Sequence, residues 1–286
     1  MIGLLTAVLC VGGLGNAGAE VEKSEILDCA FSMLEEGNIF LERYRAITGS
    51  EVKVWFENGL PYFFGGTSEG LLFSVYPQMR KHVAEASSSI WYKKDHLYVY
   101  GFDCVGYVRW VNSKAGRSST PPLSEMITHW QENEARYVFT TNSHVNKPMP
   151  EWEKLKDTLE IGDLFAIKHG GFHVMMYIGT PRDYGFDEES ELGRYLDLPL
   201  VIHCGPTPAY PDRYEKVFAE EPEYYGNCEL PDGGVQISLL GVPKGEIPYH
   251  RDFMKQSAEY LMVEGQMVTV VDTWNATSSC WYRTDP

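Results

Sequence analysis

The two hydrophobic periods of this chain are segregated along its length, helical spacing first and strand alternation later, and that order constrains its fold more than any other feature. In "KSEILDCAFSMLEEGNIFLERYRAI", Ile26, Leu27, Ala30, Met33 and Leu34 form one stripe at helical spacing, which predicts a helix or two before Gly49. After Asp103-Cys104, Val105, Val108 and Val111 recur at intervals of three beside Trp110 until Gly116 supplies a stop. That spacing predicts a buried helix starting at Cys104. Strands follow. "LEIGDLFAIK" turns into one, "HGG" bends the chain, and "FHVMMYIG" gives the next. Phe172, Val174, Met176 and Ile178 share one face of that strand, and His173, Met175 and Tyr177 share the other. In "VIHCG" Val201 and His203 point the same way; "GGVQISLLGV" and a hairpin turning at Glu264-Gly265 complete the strand-rich part. With no βαβ alternation, the expectation is an α+β fold. In the extra segment 67–100, "PQMRKHVAEASSSIW" has helical character, and acidic residues 181–199 read as an insertion between two strands. No repeat or linker divides the chain, so residues 20–286 are expected to form one domain.

A formal charge of −16 opposes binding to nucleic acid or anionic lipid. The apolar run from Ile2 to Leu14, followed by Ala17-Gly18-Ala19, has the pattern of a secretory signal over residues 1–19, cut after Ala19. No later apolar run is long enough to span a membrane. Export leaves Cys29, Cys104, Cys204, Cys228 and Cys280, an odd number, in an oxidising compartment. Bridges Cys204–Cys228 and Cys29–Cys280 would leave Cys104 as the thiol; the alternative is that all five are reduced.

Cys104 is then a half-cystine, a metal ligand or a nucleophile. A helix N-terminus favours a thiolate, and a nucleophilic thiol needs an imidazole oriented by a third polar group. Of the eight histidines, His173 opens an apolar strand and His203 interrupts another. If those strands are neighbours, both rings project from one surface toward the Cys104 helix, with His173 as base and His203 holding its ring. A metal is the weaker expectation. His169 and His173 are spaced as on a helix, but "HGGFH" is a poor helix, and neither C-x-x-C nor H-E-x-x-H occurs.

The ordered blocks "PYFFGG", "FDCVGYVRW", "LEIGDLFAI", "HVMMYIG" and "VIH" resemble the NlpC/P60 family of cysteine peptidases. That family's pattern is Y-x-x-G-G, D-C-S-G-[FY]-V, L-x-x-G-D-L-x-F, H-V-x-[IM]-Y-[IV]-G and a later I-H. The resemblance implies a papain-like core whose nucleophile helix packs on an antiparallel sheet. It also implies hydrolysis of amide bonds in peptidoglycan stem peptides, commonly γ-D-glutamyl to a diamino acid, by a secreted or cell-surface bacterial protein without a cofactor. It places the nucleophile at Cys104, the base at His173 and the orienting residue at His203. Tyr62 would assist at the oxyanion with the Cys104 N–H, and Asp103 would bind substrate or serve structure. Val105 stands where the family has Ser, and the segments 67–100 and 181–199 lengthen the family's usual spacings. Surface insertions of that kind cost roughly 0.6 kcal/mol per doubling of loop length. A cysteine amidase or acyltransferase on the same core, and a domain that binds wall peptide without cleaving it, are the alternatives.

Overall fold

The computed structural model describes residues 21–57, 59–60, 62, 81–82, 97–98, 101–117, 137–141, 156–169, 171–205, 234–243, 245–247, 249–251, 257–271 and 278–284. The expected signal segment lies outside them. Among the described residues three α-helices form where a polar side chain can receive the first backbone N–H groups. Ser24 caps α1 (Glu25–Phe31), Asn38 caps α2 (Ile39–Thr48), and Asp103 caps α3 (Cys104–Lys114), where it accepts the Gly106 N–H at 2.7 Å. α3 turns Tyr107, Val108, Trp110 and Val111 inward. Burial of Val108 and Val111 contributes on the order of 1.5–3 kcal/mol each. Tyr107 also donates its hydroxyl to Ala30 O at 2.9 Å, which ties α3 to α1.

The strands are β1 (Lys81–His82), β2 (Leu97–Tyr98), β3 (Tyr137–Thr141), β4 (Leu164–His169), β5 (Gly171–Gly179), β6 (Leu200–Gly205), β7 (Gly234–Leu239), β8 (Tyr249–Arg251), β9 (Ser257–Val263), β10 (Gln266–Val270) and β11 (Ser278–Tyr282). β1 and β2 pair with each other, and the remaining nine form one sheet in the order β3-β11-β4-β5-β6-β7-β10-β9-β8. The architecture is therefore mixed α+β. It departs from the expected all-antiparallel sheet at one seam, because β10 runs parallel to β7. Glu264 and Gly265 have φ of 50° and 82°, the two left-handed residues that a tight type I′ hairpin requires, so the β9–β10 turn forms as its sequence predicts.

Two further expectations are corrected. Lys81 and His82, inside the segment of helical character, are extended and paired with Tyr98 and Leu97; strand pairing overrides the local pattern there. The two bridges are not formed, and the reduced alternative holds among the described residues: Cys29, Cys104, Cys204 and Cys280 are thiols. Cys204 donates its S–H to Phe102 O at 3.1 Å, and the sulfur of Cys280 faces the backbone of Ala166 on β4. Cys228 lies outside the described residues. The acidic insertion is well packed, with Tyr184, Phe186, Leu192, Tyr195 and Leu196 buried and Arg182 paired with Asp197 at 2.8 Å.

The sheet separates two apolar clusters. Val174, Met176 and Ile178 of β5 and Leu200 and Ile202 of β6 join the helices in the larger one, while Met175, Tyr177 and Val201 join Phe165, Ile167 and Trp281 in the other. α3 packs against β5 and β6 on the first of these faces.

Candidate active site

Cys104 is the first residue of α3 because Asp103, in extended conformation, caps it. The backbone N–H groups of Val174, Val105 and Cys104 itself face its sulfur and favour the anion. Burial outweighs them, the Asp103 carboxylate pushes the same way, and the thiol is driven up to about 12. Cys104 is thus a neutral thiol at pH 7, whereas the helix N-terminus alone led us to expect a thiolate. The dipole and its N–H groups favour the anion only modestly, and a desolvated sulfur beside a carboxylate loses more than that.

The contact with Val174 locates the sulfur. Residues Met176 and Tyr177 of β5 pair with Ile202 and Val201 of β6, and this pairing stops before Val174 is reached. Tyr177 exchanges hydrogen bonds on the opposite side of β5, donating to Asp163 O and accepting from Gly162 N–H. By the alternation of a strand, the Val174 N–H points toward β6, where the pairing has ended. Cys104 enters at this opening from the helical side.

His173 and His203 lie on adjacent strands, and His173 Nε2 is 3.0 Å from His203 Nδ1 with the rings nearly perpendicular at 87°. The structure brings the two rings together on one surface, as expected, but strand alternation turns that surface away from the α3 layer, where the expectation had them project toward the Cys104 helix. That surface is the one shared with Met175, Tyr177 and Val201, opposite the helical layer, so ring and sulfur converge on the β5–β6 opening from its two sides. Neither imidazole is hydrogen-bonded to the Cys104 sulfur in this arrangement, and the ring nitrogen of His173 left over from the His203 contact is Nδ1. Burial lowers His173 to about 4 and, helped by His173, holds His203 well below its ordinary range. Both rings are neutral at pH 7, yet His173 keeps part of its surface open to solvent while His203 is buried.

Tyr62 is held by a parallel bridge to Phe102, two residues before Cys104. Its phenol is buried, and burial, followed by the ionisable neighbours Cys104 and Asp103, raises its pKa, so it remains a hydroxyl donor. Asp103, Cys104 and Tyr62 therefore form one group, and His173 with His203 another, with Val174 next in sequence to His173 as the link between them. Among the described residues no group of three or more His, Cys, Asp or Glu is arranged to hold a metal.

Three residues were not singled out in the sequence. Ser238 Oγ lies 2.9 Å from His203 Nε2 and is also hydrogen-bonded to Thr269 Oγ1. Gly205 lies against both rings: a Cβ there would be 3.0 Å from His203 Nδ1 and 3.4 Å from His173 Cε1. Serine and threonine on strands carry no local signal. Ser238 reaches His203 only because Gln236 is the residue directly opposite it, which puts Ser238 on the diagonal. Comparison of the chain with known protein families, curated proteins and solved structures finds no match.

Proposed function

We propose that this chain is an exported cysteine peptidase of the NlpC/P60 type, built on a papain-like core, that cleaves amide bonds in peptidoglycan stem peptides without a cofactor. In this reading residues 1–19 are its signal peptide and residues 20–286 its catalytic domain. The observation that carries it is the His173–His203 contact at 3.0 Å, which leaves Nδ1 of His173 as the remaining ring nitrogen on the strand whose next residue, Val174, faces the Cys104 sulfur. Neutral thiol and neutral imidazole define the reaction's start. Nδ1 of His173 takes the S–H proton as the sulfur attacks the carbonyl carbon, and the resulting imidazolium then gives that proton to the departing amine. Water, deprotonated by the same nitrogen, releases the acyl group from the sulfur. The Cys104 N–H and the Tyr62 hydroxyl donate to the oxyanion. Because the thiol–imidazole hydrogen bond is not yet made, bound substrate has to draw the two together, a tightening common on substrate binding.

That open contact, with a thiol pushed up to about 12, is also what favours a second reading, a domain that binds wall peptide without cleaving it. One experiment separates them. Purified cell wall is digested with the wild type and with Cys104→Ala, and new amino termini are identified by mass spectrometry. Termini formed by the wild type alone are expected; identical digests overturn the peptidase.

A further inference from the structure

Four polar side chains line up across four neighbouring strands on the face away from the helices: His173 on β5, His203 on β6, Ser238 on β7 and Thr269 on β10. Each touches the next, and His203, Ser238 and Thr269 are all buried. A neutral imidazole carries one N–H, so each link fixes the direction of its neighbour. If His203 Nε2 carries the proton, it donates to Ser238 Oγ, its Nδ1 accepts from His173 Nε2–H, and Nδ1 of His173 is left as a bare lone pair. If the chain runs the other way, Ser238 donates to His203 Nε2, and Nδ1 of His173 carries a proton and can accept nothing.

The proposed reaction decides between them: Nδ1 of His173 can take the S–H proton only if it carries none of its own, whereas a protonated Nδ1 would be one more donor beside the backbone N–H groups of Cys104, Val105 and Val174. The geometry points to Ser238, backed by Thr269, as a positioning residue that accepts from His203 Nε2–H and so holds Nδ1 of His173 unprotonated. This rests on the peptidase reading for its purpose and its direction, and on the observed contacts for its coupling. Ser238 touches no reacting atom; it acts through His203 alone. With alanine at 238, a buried His203 Nε2–H loses its acceptor. The proton moves to Nδ1, the His173 proton is driven from Nε2 to Nδ1, and the base is lost.

The test reads the tautomers directly, by ¹⁵N NMR of the imidazoles in the full chain at pH 7.5 without substrate, in the wild type, Ser238→Ala and Ser238→Thr. Both rings are expected to be protonated at Nε2 in the wild type. In Ser238→Ala His173 is expected to carry its proton on Nδ1, and Ser238→Thr, which keeps the hydroxyl, is expected to restore the wild-type pattern. On cell wall, kcat of Ser238→Ala should fall on the order of 100-fold with KM unchanged, smaller than the roughly 10⁴-fold that a wrong tautomer costs in a serine-protease triad. A wild-type His173 protonated at Nδ1 overturns the inference, even if Ser238→Ala does not fold. So does a folded Ser238→Ala whose tautomers match the wild type. A wild type with the expected tautomers and no turnover leaves this inference standing and removes the peptidase instead.

Discussion

The two faces of β5, β6, β7 and β10 are both buried, but by different chemistry. Toward the helices the strands present Val174, Met176, Ile202, Ile237, Leu239 and Val268, all apolar and at most 3 % exposed. On the reverse β5 and β6 present Met175, Tyr177 and Val201 to the smaller apolar cluster, and beside these lie His203, Gln236, Ser238 and Thr269, buried and polar. The apolar face sets the register, since a slip by one residue would exchange the faces of a whole strand. The polar face inherits that register, and its side chains meet without having to bring the strands together. Hydrocarbon packing on one side thus fixes a hydrogen-bonded line on the other. A buried polar line that departs from the apolar pattern is where function is expected.

The comparison can be tested by asking whether the two faces separate stability from turnover. The largest effect is expected at Cys104: Cys104→Ala should reduce hydrolysis of cell wall by roughly 10⁴-fold or more while thermal unfolding changes little. His173→Gln should come next, with a loss of about 10³-fold in kcat. On the apolar face Ile202→Ala should destabilise the fold by about 2–5 kcal/mol in urea unfolding. If His173→Gln destabilises as much as Ile202→Ala and both keep their turnover, the division between the faces fails.

Gly205→Ala sits between the two behaviours. Its methyl would press on His203 at 3.0 Å, so a cost of about 1–3 kcal/mol and a larger proportional fall in activity are expected, read by unfolding and by kcat on the same preparation. Acid sharpens the polar side further. His173, lowered to about 4 from an ordinary 6.5, and His203, held well below that ordinary value by burial and by His173, take up protons more readily unfolded than folded. The stabilisation from His173 is complete above about pH 6.5 and is lost as pH falls through about 4. Thermal melts at stepped pH should show that loss, and His173→Gln should show less of it. The smallest effects belong to Asp103. Asp103→Ala removes the cap of α3 for about 1 kcal/mol. Asp103→Asn keeps an acceptor but removes the charge that raises Cys104, so iodoacetamide should alkylate the thiol faster at pH 9, and an unchanged rate would count against that charge.

Much of this arrangement is legible in the chain. Ile26, Leu27 and Ala30 of the stripe, the start of α3 at Cys104, the alternation along β5 and the Glu264-Gly265 turn are local, and each is written in spacing, a cap or a turn residue, whereas Met33 and Leu34 of the same stripe are buried beyond the end of α1 at Phe31. The pairing of Lys81 and His82 and the state of the cysteines escaped because they depend on distant partners. The thiolate expectation failed for a related reason: the end of a helix can be read from residues 103–106, but the depth at which it is buried cannot.

By itself the sequence determined that a helix starts at Cys104, that β5 alternates, and that Cys104, His173 and His203 stand at element positions suited to chemistry. These follow from periods of a few residues and from side chains acting on their own backbone. Only the tertiary structure decided that the β5–β6 pairing ends at Met176, that the rings reach that opening from the far side of the sheet, and that Ser238 lies diagonal to His203. Strand order, register and burial arise from contacts between segments far apart in the chain, and no local pattern encodes them.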